Sequence, residues 1–220
     1  MKTEVQLFDL KVLRANEETL AEARSLLPAD FPRRSARRMT HLGTLMARVL
    51  ADSRPEPGST LIYGTTYGET RSLEDFVDSF PTPSPLLFQG SIHPSGIQQV
   101  FVHRKIPIGG FLPITGSDHL VASVLESALL AADAGVTVCG GEEGGTWLLE
   151  CGKASPIAFA WAFSLAGNSH AATGSLTIGP GGDRVPAGPV DHAGFFAALE
   201  TRSAIKIPRP RGGFYRVDWK

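Results

Sequence analysis

"ITGSDHLVASVLESALLAADAGVTVCGGEEGG", residues 114–145, runs from a turn through an apolar-periodic helix and a short strand into a Gly/Glu loop. Asp118 is placed to cap the helix. Leu120, Val121, Val124, Leu125, Ala128 and Leu129 then recur at helical spacing over so much of the circumference that the helix must be buried, and Gly135 ends it. "VTVCGG" reads as a strand buried on both faces. A buried helix followed at once by a buried strand places this stretch in the middle of a layered α/β domain. A turn feeding a buried helix is also where many folds carry a nucleophile, so Ser117 is the first residue to weigh.

Toward the N-terminus the β-then-α alternation repeats. Residues 5–13, "VQLFDLKVL", read as a strand, and "NEETLAEARSLL" as a short helix that Asn16 caps with acids in its first turn. In "RRSARRMTHLGTLMARVLADS" the residues Met39, Leu42, Leu45, Met46, Val49 and Leu50 put one apolar stripe on a helix of about four turns whose other face is basic. "SRPEPG" breaks the chain. "STLIYGTTYGE" is then a buried strand ending in a turn, and "TRSLEDFVDSF" a helix with Leu73, Phe76, Val77 and Phe80 on one face. The prolines of "PTPSPLLFQGSIHPSG" argue against regular structure before a short helix from about Ser95 to Val102. "IPIGGFLPIT" is an edge or interface strand, because its prolines do not fit a central ladder.

"SPIAFAWAFSLAG" is the last strong apolar strand, and a Gly- and Pro-rich stretch follows it. Residues 1–204 are expected to form a single domain with a mixed sheet and helices on both faces, and residues 205–220 a basic-aromatic tail outside it. The length of 220 residues suffices for a full core, and 42% hydrophobic against 20% charged residues is an ordinary globular composition. A formal net charge of −1 gives no field that calls for nucleic acid. The start of the chain lacks an apolar signal core and no run approaches a membrane span, so a cytoplasmic protein is expected. Cys139 and Cys151 have neither metal-ligand nor CxxC spacing and are expected to be reduced, buried thiols.

Four constellations invite a chemical reading. Ser117, Asp118 and His119 are consecutive, so they cannot form the in-line relay of a catalytic triad, which leaves Ser117 as a helix cap or as a lone hydroxyl awaiting a distant histidine. Glu142 and Glu143 follow a buried strand, where α/β enzymes often keep catalytic groups, yet adjacent side chains point apart and a solvated loop is the expected setting. The glycines match neither a dinucleotide nor a P-loop pattern, and the six histidines show no zinc spacing, so no cofactor and no metal is expected. His93, in "SIHPSG", stands out among them, with a hydrogen-bonded structural role expected. The basic clusters at 33–38 and 209–216 are solvated faces or landing sites for an acidic partner.

The order of landmarks resembles the N-terminal half of β-ketoacyl synthases, and most closely the short ketosynthase-like proteins grouped with chain-length factors in bacterial aryl-polyene, type II fatty-acid and polyketide systems. It is carried by "RRSARRMTHLGTLMARVLADS", "TLIYGTTYGET", "SPLLFQGSIHPSG" and "GGFLPITGSDHLVASVLESALLAADAGVTVCGGEE", and so by residues 33–145. The resemblance implies half of a thiolase-like fold, three layers α-β-α around a mixed sheet. It further implies that Ser117 stands where active synthases carry the cysteine of a Thr-Ala-Cys-like turn, with Thr115 and Gly116 at the first two positions. A hydroxyl there is a far poorer nucleophile than a thiol. The two histidines, or His and Asn, that complete synthase chemistry belong to a half that this chain is expected to lack. Ser117 is thus expected to be a vestigial nucleophile position that caps a helix.

By the same resemblance the strand at 109–115 lies at a dimer interface, where the chain is expected to pair with itself or with an active ketosynthase. Phe88, His93 and Phe111 are implied to line an acyl pocket or face the partner, and Arg33, Arg34, Arg37 and Arg38 to receive an acyl carrier protein. Three function classes stand at this point: a non-catalytic ketosynthase-like subunit, an acyltransferase or hydrolase using Ser117 or Cys139, and a stand-alone binding protein for an acyl chain or carrier protein.

Overall fold

The computed structural model describes residues 4–16, 21–23, 25, 31–52, 55–132, 135–165, 171–180 and 188–220. Most of the helix expected after Asn16 lies outside the described residues. The strands are β1 (Glu4–Ala15), β2 (Thr60–Thr65), β3 (Gly110–Thr115), β4 (Val136–Glu142), β5 (Ala158–Leu165), β6 (Gly174–Gly179), β7 (Ile205–Pro208) and β8 (Phe214–Trp219). They form one mixed sheet in the order β3-β2-β4-β5-β1-β6-β8-β7. β2 runs parallel to both β3 and β4, and every other pairing is antiparallel. The helices are α1 (Arg33–Ala36), α2 (His41–Asp52), α3 (Thr70–Asp78), α4 (Pro85–Ser91), α5 (Ser95–Arg104), α6 (Leu120–Ala131), α7 (Thr146–Glu150) and α8 (His192–Thr201).

The three layers follow from strand alternation. On β5, Phe159, Trp161 and Phe163 point into one core with α6 and α8, while Ala160 and Ala162 point into the other with α2 and α5. β2 divides in the same way, Ile62 to the first side and Leu61 and Tyr63 to the second. The small alanines let α2 lie close over β5, and the aromatics fill the deeper space opposite. α6 buries Leu120, Val121, Ala122, Val124, Leu125, Ala128 and Leu129, as its spacing predicts. Each of its larger apolar side chains stabilises by about 1.5–3 kcal/mol relative to exposure.

Several local expectations change. The stripe of 39–50 is buried, but the helix is interrupted: α1 stops at Ala36, and α2 starts afresh at His41 with the Thr40 hydroxyl accepting from Gly43 N at 2.9 Å. The prolines before His93 do not exclude a helix. Pro85 sits in the first turn of α4, where its missing N–H costs nothing, and the Ser84 side chain caps Leu87 N. Asp118 does not cap α6, whose N-cap is His119 without a side-chain hydrogen bond.

The largest difference is at the C-terminus. Residues from Ile205 onward are not a tail: β7 and β8 form a hairpin that completes the sheet, burying Ile207, Phe214, Tyr215 and Val217. Pro208 is tolerated because β7 is the edge strand. α8, in the Gly/Pro-rich stretch, packs Phe195, Phe196 and Leu199 into the first core. Of the two cysteines, Cys139 is buried and Cys151 is exposed.

Candidate functional site

β2, β3 and β4 are parallel, so their C-terminal ends meet at one edge of the sheet, where Thr65 lies opposite Thr115 and Gly64 opposite Gly140. Loops leaving such ends commonly carry the chemistry of α/β folds. Here they carry Glu69 after β2, Ser117 after β3, and Glu142 and Glu143 at and after β4.

Ser117 is exposed and its hydroxyl donates to Asp118 Oδ1 at 3.0 Å. It does not cap α6, contrary to expectation, because the helix begins too late for its oxygen to receive an N–H of the first turn. No imidazole among the described residues is hydrogen-bonded to it. A serine hydroxyl without a hydrogen-bonded base is a weak nucleophile. Cys139 is no substitute: it is fully buried in β4, its thiol reaches only the Ile62 carbonyl at 3.6 Å, and burial pushes its pKa far up, which keeps it protonated.

The two adjacent glutamates do point apart, but Glu142 is not solvated. Its carboxylate is 4% exposed and lies 3.0 Å from His192 Nδ1, whose Nε2 is 2.9 Å from Trp161 Nε1. An indole N–H can only donate, so His192 Nε2 must accept and Nδ1 must hold the proton that it gives to Glu142. This closed chain commits both imidazole nitrogens to structure. Glu143 turns to His41 Nδ1 at 2.9 Å.

Glu69, 4% exposed, accepts from Gly96 N at 2.9 Å and so caps α5 from across the loop. Burial raises its pKa to about 7, against the lowering effect of the hydrogen bonds from Gly96 and Thr40, with the Glu143 charge adding to the rise. A carboxyl whose pKa rises on folding holds its proton more tightly in the native state. Its contribution is therefore complete below the ordinary value of 4.5 and is lost as pH climbs through about 7. Between about pH 5 and pH 8 this group alone is expected to lower stability by roughly 3 kcal/mol. Glu69→Gln should flatten that fall in urea unfolding; an unchanged pH profile would contradict the assignment.

His93 stacks on Tyr63 at 5.6 Å between ring centroids. The hydrogen-bonded role expected for it is absent: both ring nitrogens are buried without a partner among the described residues, and burial lowers its pKa. Phe111 is partly buried and packs against the α2–α5 core. Phe88, by contrast, is 50% exposed and touches Phe76 at 5.3 Å.

Around Phe88 lies a surface that the sequence marks only as a helix face. α3 buries no residue at all; α3 and α4 hold one another through Phe76, Phe80 and Phe88 and leave Leu73, Val77, Phe80, Leu86, Phe88 and Ile92 between 40% and 58% exposed. β3, at the sheet edge, exposes Leu112 at 44%. Arg33, Arg34, Arg37 and Arg38 are all exposed, on α1 and the turn after it. Among the described residues no group of three or more His, Cys, Asp or Glu is placed to hold a metal ion, and no helix is long and apolar enough to cross a membrane.

No protein-family model and no curated protein sequence matches this chain. Solved structures do. One chain of the complex of the ketosynthase ApeO with its chain length factor ApeC from Xenorhabdus doucetiae is similar over 99% of this chain and 100% of its own length, with a TM-score of 0.66 and 17% identity. A β-ketoacyl synthase from Burkholderia phymatum STM815 matches over 84% of this chain and 66% of its own, with a TM-score of 0.56 and 11% identity. The ishigamide ketosynthase/chain length factor matches over 86% and 66%, with a TM-score of 0.55 and 12% identity. The fold is thus the thiolase-like fold of ketosynthases and their chain length factors, as the order of sequence landmarks implied.

Proposed function

We propose that this chain, which carries the ketosynthase fold, is a non-catalytic subunit of the chain-length-factor kind that pairs with an active ketosynthase in type II fatty-acid, aryl-polyene or polyketide synthesis. The observation that carries the reading is uncovered apolar area at two places: a helix pair with six large apolar side chains about half exposed, and an edge strand that exposes Leu112. Such surfaces are costly to leave wet and mark places where another chain docks. The likeness to one chain of a ketosynthase–chain length factor complex along its whole length supports a subunit of this size. The 66% coverage of the B. phymatum synthase means that this chain spans only part of such an enzyme. Ser117, exposed and hydrogen-bonded to no imidazole among the described residues, supports the non-catalytic reading.

Leu112→Asp and Phe88→Asp test the surface, since both side chains are about half exposed and neither change opens the core. Phe111→Asp would confound interface with stability, because Phe111 packs inward. Each variant is expected to weaken binding to a full-length ketosynthase by about 30-fold or more, as the loss of a central apolar anchor does. Affinities equal to the unaltered chain, measured by sedimentation, would remove this surface from the account. The same surface also serves self-pairing, which the variants would abolish in parallel.

A further inference from the structure

The four arginines of residues 33–38 do not act as one patch. Arg34 and Arg38 line a cleft of about 400 Å³ between α1, α4 and α5, and Arg33 and Arg37 do not. The opposite walls carry Gln89 and Leu86 from α4 and Gln99 and His103 from α5. Among the described residues no acid lines the cleft. Among the described residues neither Arg34 nor Arg38 has an ion pair or a side-chain hydrogen bond.

Two guanidiniums on one wall, neither paired with an acid among the described residues, favour an anion between them. Each presents a planar fork of donors that matches a phosphoryl or carboxylate group. Gln89 and Gln99 add neutral amide donors, and the His103 ring can donate from a nitrogen. Leu86, 45% exposed, offers an apolar side for a short carbon skeleton. The volume lies at the lower end of clefts that hold small molecules. We propose that the cleft between α1, α4 and α5 binds a small phosphate-bearing molecule, with Arg34 and Arg38 as its anion clamp. The cleft adjoins the pairing surface and shares Leu86 of α4 with it, so its test uses the chain alone, without a synthase. Binding there differs from docking of an acidic carrier protein, which would engage all four exposed arginines.

The full chain is titrated calorimetrically at low ionic strength with inorganic phosphate and pyrophosphate as probes, and with acetate as a singly charged comparison. The unaltered chain and the Arg33→Ala/Arg37→Ala variant are expected to bind phosphate and pyrophosphate alike and acetate more weakly. Arg34→Ala/Arg38→Ala is expected to bind at least about tenfold more weakly. Gln89→Glu, which places a carboxylate in the cleft and leaves both arginines intact, should do the same. These residues are solvent-facing, so an unchanged melting temperature without phosphate confirms that the variants fold. Equal binding by all four proteins, or none by the unaltered chain, would overturn the proposal. A carrier protein whose binding falls equally in both double-arginine variants would assign the arginines to protein docking instead.

Discussion

Replacing His192 by leucine is expected to destabilise the protein by about 3–5 kcal/mol, because it removes the one group that satisfies two buried partners at once. Trp161 Nε1 would lose its acceptor and Glu142 would lose its donor, in a region where the Trp161 and His192 rings are 1% and 3% exposed. Water cannot replace the ring, since leucine fills the space without offering a polar atom. For a chain of this size the loss corresponds to a fall in melting temperature on the order of 10 °C. Glu142→Leu alone should cost less, because Trp161 keeps its acceptor. The double variant His192→Leu/Glu142→Leu should cost less than the sum of the two, as it removes the stranded carboxylate together with its partner. Strict additivity in calorimetry would show that the two groups are not coupled.

Gly140→Ala is the second large effect. Gly140 lies in β4 opposite Gly64 on β2 and Trp161 on β5, and the Trp161 ring lies across the space that a side chain would occupy. A methyl group there would sit 2.5 Å from Trp161 Cζ2 and 2.8 Å from the Gly64 carbonyl oxygen. The ring is held by Phe163, Phe195 and the hydrogen bond to His192, and the carbonyl belongs to a central strand, so neither can yield. The expected cost is about 2–3 kcal/mol, from overpacking without relief. Gly152→Ala is a fair comparison for the loss of a glycine as such: it is exposed with nothing within 4 Å of the added carbon, and any cost there comes from its φ of +63° alone. A Gly140→Ala variant as stable as the parent in urea unfolding would mean that the ring does not lie over the strand.

How far the fold can be read in advance depends on how local its causes are. α6 and β4 declare themselves because seven buried positions of a helix and a run of β-branched residues lie within one short stretch. β7 does not, because Pro208 and Pro210 argue against a strand until it is known to be the sheet edge. α8 carries one local signal: Asp191, whose side chain caps Gly194 N at 2.7 Å, opens the aromatic-bearing "HAGFF". The turn that holds Ser117 is visible as a site, but the distance between its hydroxyl and any base is a tertiary fact. His192 escapes notice for the same reason, since its partner Glu142 is 50 residues away. The four arginines look equivalent in sequence, and only the placement of α4 and α5 divides them into two that line a cleft and two that do not.

Native mass spectrometry reads the proposed pairing with a synthase and the proposed lack of acyl transfer in one experiment. The intact chain is mixed with a full-length ketosynthase from the same cell and with acyl-loaded carrier protein. A stable complex with the synthase in which this chain keeps its unmodified mass is expected. A chain that stays alone in the mixture, or one that gains an acyl mass on Ser117, would contradict it.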